Sequence, residues 1–319
     1  MVYNLKDFGS FYIGGSEIQL ETGKKININF SKDGKPFRLK EDGKYFVDHM
    51  YVQYFYPVKN NGTYPLIFLH GGSMTGVSFE NTPDGRDGWL QYFLKKNFQI
   101  YNTDSITRGR SGWTNKSNYS TSTAVILPEH DPFIRYRIGK YHKEKKVPRD
   151  ENTLFPVEYF DCFMKQIVPR WTETRKKSIA NYVQLLKKVG PSLILAHSFG
   201  GGIAWDVLKE IPEMVKGLIL IEPVLSTENN CFNKIVNTPI LTIYGDYIEG
   251  DDRWKQIKMK NNNILKNLRE KGGEIDFLDL PNLGVYGNSH MMMMDKNNLE
   301  VAKLILEWMH KRNLYNSEQ

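Results

Sequence analysis

The run Ser192-Leu193-Ile194-Leu195-Ala196-His197-Ser198-Phe199-Gly200-Gly201-Gly202 constrains this chain more than any other stretch. Its apolar residues 193–196 read as a short strand buried on both faces. The three glycines let the backbone turn sharply and start a helix against close neighbours. Ser198 stands at the apex. This is the pattern of a nucleophile elbow, in which a tight strand-to-helix turn pushes a serine oxygen out at a helix N-terminus. The usual form is G-x-S-x-G, and here Ala196 replaces the first glycine. Alanine is the next smallest residue, so the turn survives sterically. A serine that merely caps a helix would look the same locally, and the rest of the chain has to decide between the two.

An elbow of this kind needs a parallel sheet around it. Residues 64–69 form a continuous apolar run, residues 88–96 place Trp89, Tyr92 and Phe93 at helical spacing, and residues 98–103 return as a strand ending at Asp104. Strand, helix, strand at this spacing predicts a right-handed crossover and parallel pairing. Upstream, residues 8–19, 25–30 and 45–56 read as an antiparallel edge. Residues 104–112 are glycine-rich but lack the spacing of a phosphate-binding fingerprint, and read as structural. Downstream, Ile179, Tyr182, Val183 and Leu186 predict an amphipathic helix closed by Gly190, which leads into the elbow strand. A helix carrying Ile203, Ala204, Val207, Leu208 and Ile211 follows. Strands are then expected at 215–221, 239–244 and 274–280, and a terminal helix at 299–310. The class is α/β, with a mainly parallel sheet and helices on both sides.

Residues 113–171 break this rhythm. Prolines at 128, 132, 148, 156 and 169 make the stretch irregular, while Phe133, Tyr136, Phe155, Tyr159, Phe160 and Phe163 argue that it packs against something. The expectation is a single domain over residues 1–319, with residues 113–172 inserted as a cap or lid rather than a disordered linker.

Composition narrows the function by exclusion. Lys and Arg number 43 against 36 Asp and Glu, a net charge of +7, with basic clusters at 143–149 and 175–177. No nucleic-acid motif accompanies them, so they read as solvated surface and no nucleic-acid partner is expected. Cys162 and Cys231 are far apart and lack metal-ligand spacing, which excludes a disulfide framework and a zinc site. No stretch approaches the roughly 18 apolar residues of a membrane span. No basic segment followed by an apolar run opens the chain. A cytoplasmic protein is expected, secretion remaining open in case a leader was removed.

Ligands of open α/β sheets bind beyond the carboxyl ends of the strands. Those positions hold residues 70–73, Asp104, Ser198, Glu222, Asp246 and His290. A serine hydroxyl needs a base, and the base needs an orienting group. In this fold the chain order is Ser, acid, His. His290 fits as the base, since His310 belongs to the terminal helix. His197, adjacent to Ser198 on a strand, should point the other way and fill space behind the elbow. The acid stays open between Glu222 and Asp246, each of which closes a strand. Two backbone N–H donors should hold the developing oxyanion: Phe199, after the nucleophile, and Gly72, in the His70-Gly71-Gly72-Ser73 loop.

Taken together, several motifs resemble the novel bacterial esterase subgroup of the α/β-hydrolases. They are His70-Gly71, residues 75–86 with Thr82-Pro83-Asp84-Gly85-Arg86, Arg108-Gly109-Arg110-Ser111, Tyr244-Gly245-Asp246, Arg253-Trp254, and Gly287-Asn288-Ser289-His290-Met291-Met292-Met293 followed by Asp295 and Asn297-Asn298-Leu299. The likeness runs from about residue 8 to residue 308. It implies Ser198 as nucleophile, His290 as base and Glu222 as acid, resolving the choice against Asp246. A member of the group carries two adjacent cysteines after its His-Gly. Gly72 and Ser73 stand there in this chain, so backbone donation is unaffected and a disulfide at that loop is ruled out.

Met291 to Met294 follow the histidine and read either as core filling or as an adaptable pocket wall. The expected activity is a serine carboxylesterase acting on small to medium apolar esters, with no metal or organic cofactor. A lactonase or acyltransferase with the same triad is the related alternative, and a non-catalytic binding protein on a hydrolase scaffold the different-class one. The partner is a small-molecule ester, and homodimerisation is left open.

Overall fold

The long strand β1 (Leu5–Leu20) runs antiparallel beside β4 (Gly43–Pro57) at one edge of the main sheet. The computed structural model describes residues 3–112, 124–143, 145–226 and 232–316. Between the two edge strands, β2 (Lys25–Ile28) and β3 (Phe37–Lys40) close into a separate two-stranded ribbon. The edge expected from the sequence therefore holds its first and third stretches but not residues 25–30. Neither ribbon strand buries a side-chain face, so nothing draws them onto the sheet.

Next come β5 (Leu66–Leu69), α1 (Trp89–Lys95) and β6 (Ile100–Asp104). The connection that follows contains α2 (His130–Arg135), a ribbon of β7 (Gly139–His142) and β8 (Lys145–Pro148), and α3 (Phe160–Met164). Then α4 (Arg175–Val189), β9 (Ser192–His197), α5 (Phe199–Glu210) and β10 (Val215–Ile221) form the elbow unit. The chain ends with β11 (Ile240–Tyr244), α6 (Asp252–Glu270), β12 (Ile275–Asp279) and α7 (Asn298–Lys311). The sheet order is β1-β4-β6-β5-β9-β10-β11-β12, parallel from β6 onward.

Alternation along the strands supplies two cores. Phe68, Leu195, Ile221 and Ile243 face α1 and α7, while Leu69, Ile194, Leu220 and Ile240 face α4, α5 and α6. Each buried side chain of this size contributes about 1.5–3 kcal/mol. Both faces being covered explains why the parallel strands read as unbroken apolar runs. Met291 to Met294 are fully buried in the first core, and none lines the cleft described below, so they fill space rather than wall a pocket.

The β6–α4 connection packs through its aromatic side chains. Phe133 lies 4.8 Å from Phe160 and Phe155 5.6 Å from Phe163, ring centre to ring centre, and all four are buried in the first core. Residues 113–123 of this connection, and Cys231, lie outside the described residues. Cys162 is exposed with a free thiol. No helix among the described residues is long and apolar enough to cross a membrane.

Candidate active site

β9 delivers Ser198 to its turn with φ 54° and ψ −119°, a conformation that L-residues hold only where the surroundings impose it. The Ser198 N–H donates to the Ile221 carbonyl at 2.9 Å, and the Ser198 carbonyl accepts from Gly201 and Val224 N–H at 3.0 Å each. The glycines then let α5 close in. A Cβ at Gly200 would sit 2.3 Å from the His70 carbonyl oxygen, and one at Gly202 2.2 Å from that of Val224. Ala196 is fully buried and fits without disturbing the turn.

β10 leads into Glu222, which also has a positive φ of 41°. Its carboxylate is fully buried. Oε2 accepts from His290 Nδ1 at 2.6 Å, and Oε1 accepts from the Gly245 N–H at 2.9 Å and from the Arg137 guanidinium. Burial by itself would raise the Glu222 pKa, but the Arg137 charge and the His290 hydrogen bond overcome it and hold the carboxyl down to about 2. Asp246 does something else. Its two oxygens accept from the Tyr247 and Gly287 N–H groups at 2.6 and 2.8 Å, bracing the loop that leads to His290.

His290 is 1% exposed, and burial pushes its pKa below the ordinary 6.5 against the opposing pull of Glu222. The ring is therefore neutral at pH 7, with Nδ1–H on the acid and Nε2 available as a base. Trp254 lies against it at 4.1 Å between ring centres and Tyr136 at 5.2 Å, while the His290 N–H donates to the Tyr136 carbonyl at 2.8 Å. Ser198 and His290 line the same cleft of about 460 Å³, without a direct side-chain hydrogen bond among the described residues. Such bonds are often long before substrate binds.

Two residues differ from the sequence expectation. His197 does turn away from Ser198, yet it does more than fill space. The end of β9 lies under the His290 loop, so His197 Nε2–H donates to the His290 carbonyl at 3.0 Å, with the two rings 4.4 Å apart. Burial first, then the neighbouring His290, holds His197 well below 6.5 and keeps it neutral. Arg137 was not anticipated at all. It is fully buried with φ 59°, donates through Nε to the Asp246 carbonyl at 2.9 Å, and ion-pairs with Glu222. The one sequence signal was an arginine set between Tyr136 and Ile138 in an aromatic stretch.

The loop after β5 is fixed by His70. Its Nδ1–H donates to the Gly71 carbonyl at 2.8 Å and its Nε2 accepts from the Ser105 N–H at 3.0 Å. Burial pushes the ring down to about 4, so it stays neutral and keeps both roles. Holding the Gly71 oxygen on one side turns the N–H of Gly72 to the other, because the peptide is planar and trans. Gly72 and Phe199 both line the cleft. The space a side chain would take at Gly72 is filled by Arg170, whose Nη1 would lie 2.3 Å from a Cβ there. Ser73, Arg137, Ser198, Glu222 and Tyr247 all have positive φ around this one site. Clustered strain of this sort is a mark of functional loops.

No family model matches the chain. The structure published as that of a novel bacterial esterase superposes with a TM-score of 0.84 at 30% sequence identity, covering 98% of this chain and 97% of its own. A curated relative, the probable secreted lipase phiG of Fungal sp. (strain ATCC 74256), is 26% identical over 322 residues, spanning 85% of this chain and 88% of the relative. With that identity over nearly the whole of both chains, and the elbow turn and strand order described above, this chain belongs to the novel bacterial esterase group of the α/β-hydrolases and is a carboxylic ester hydrolase.

Proposed function

We propose that Ser198, Glu222 and His290 form the triad of a serine carboxylesterase, with the Gly72 and Phe199 N–H groups as its oxyanion hole and residues 113–172 as its cap. The observation that carries this reading is the buried 2.6 Å bond from His290 Nδ1 to Glu222, with Ser198 strained outward into the same cleft.

In this mechanism Ser198 Oγ attacks the ester carbonyl while His290 Nε2 takes its proton. The carbonyl oxygen becomes an oxyanion held by two N–H donors, and Glu222 keeps the imidazole in the right tautomer and stabilises its cationic form. Collapse breaks the bond to the alcohol oxygen, to which His290 returns the proton. Water, deprotonated by His290, then hydrolyses the acyl-enzyme. A cleft of about 460 Å³ suits a small to medium ester rather than a polymer.

The test is hydrolysis of chromogenic esters of increasing acyl length by the wild type and by Ser198→Ala. Turnover lost in the variant, with folding retained, is expected. Equal turnover in both would remove Ser198 from the mechanism.

A further inference from the structure

Among the described residues, the charges that line the cleft do not balance. Four ionisable side chains of Asp and Arg type line it: Asp131, Arg135, Arg170 and Arg253. Arg135 Nε donates to Asp131 at 2.9 Å, which accounts for that pair. Arg170 and Arg253 have no carboxylate partner among the described residues, and the two repel each other. Arg253 is exposed at the start of α6, next to the Trp254 that covers His290. Arg170 is half-buried and held in place. Its backbone exchanges hydrogen bonds with Val125 at 2.7 and 3.0 Å, and the carbonyl of Pro169 before it accepts from Arg108 at 2.9 Å. Its guanidinium lies 5.5 Å from the centre of the Phe199 ring and occupies the side-chain space of Gly72.

A cation withdrawn from water beside a second cation is unfavourable unless an anion completes it. An arginine fork suits a carboxylate, which it can grip with two parallel hydrogen bonds. The position limits where that anion can be. Gly72 and Phe199 are the proposed oxyanion donors, so a group touching Arg170 is only a few bonds from the scissile carbonyl.

We propose that the preferred substrate is an ester carrying a carboxylate close to its scissile bond, received by Arg170 with Arg253 closing over it. This rests on the triad reading above and replaces the purely apolar substrate expected from the sequence. The reaction remains hydrolysis: water adds, the acyl C–O bond breaks, and a carboxylate and an alcohol leave.

The test uses two pairs of esters matched in shape and differing in charge, followed by titration of released acid at neutral pH. Monomethyl succinate against methyl 4-oxopentanoate puts the carboxylate on the acyl side. Acetoxyacetate against acetoxyacetone puts it on the alcohol side. The wild type is expected to favour the charged member of at least one pair in kcat/KM by about tenfold or more, as charge-assisted hydrogen bonds allow. Arg170→Gln should lower kcat/KM on the charged ester by about tenfold more than on its neutral partner and so erase the preference, Arg170→Lys should restore part of it, and Arg253→Gln should weaken it. Equal or inverted rates in both pairs overturn the proposal. So does an Arg170→Gln loss of the same size on charged and neutral esters, which would make Arg170 an oxyanion donor instead. Failure of the triad reading would look different, as Ser198→Ala hydrolysing every ester like the wild type.

Discussion

Glu222 keeps a full negative charge where water does not reach it, and three donors share the work of holding it. Asp246 carries the same charge in a neighbouring turn, but both of its oxygens go to backbone N–H groups. Glu222→Gln should therefore lower kcat by about 10³–10⁴-fold, the scale seen when a triad acid loses its charge. Asp246→Asn should mainly lower Tm. Measuring kcat and Tm for both variants checks this, and the opposite pattern would move the acid to Asp246. His290 has its pKa lowered by burial, so kcat/KM should stay level down to pH 6.5 and fall only below it. An acid limb centred above 6.5 would contradict a neutral, buried base. That Ser198 and His290 share a cleft was legible from chain order together with their places beyond strand ends. The acid was not, because Glu222 and Asp246 both close apolar strands; the family resemblance pointed to Glu222, and Glu222 is the one that faces the ring. Arg137 was illegible for a plainer reason: a buried arginine is written with the same letter as an exposed one.

The elements show where pattern succeeds and where it thins out. Parallel strands such as β9 and β10 are apolar on both faces and could be read directly. Helix α6 was missed although Trp254, Ile264, Leu265 and Leu268 repeat at helical spacing on its buried side. Lysines and asparagines dilute it, and its buried stripe includes the polar Asn261. That side chain donates to the Pro223 carbonyl at 2.6 Å and accepts from the Leu225 N–H at 3.2 Å, tying α6 to the segment after Glu222. The N-cap Asp251, accepting from the Trp254 N–H at 3.0 Å, was the available signal. Helix α5 makes a sharper case. Alanine at Gly202 would meet the Val224 carbonyl oxygen at 2.2 Å, a backbone atom that cannot swing aside. Gly202→Ala should destabilise the fold by about 1–3 kcal/mol and displace the elbow, lowering both the urea midpoint and kcat. Wild-type values for both would mean that α5 tolerates the extra carbon.

For the molecule as a whole, burial of ionisable groups sets how it responds to acid. His70, His197 and His290 are all held below 6.5, so the folded state binds fewer protons than the unfolded one as pH falls from that value. The stability they lend is complete above pH 6.5 and lost progressively below it. Glu222 acts in the same sense at lower pH, its share present above 4.5 and lost toward about 2. Asp295 opposes them: burial pushes it up to about 7, so its effect on stability declines as pH rises from 3.8 to 7. Three histidines outweigh one carboxyl, and Tm should fall steadily from pH 7 to pH 5. A Tm that rises over that interval by calorimetry would refute this balance. Finally, the single turn Tyr136-Arg137 holds both the His290 backbone and the Glu222 carboxylate. Moving helix α2 would therefore disturb His290 and Glu222 together. Transplanting the β6–α4 connection from a relative would change the ionisation of the acid along with the walls of the pocket.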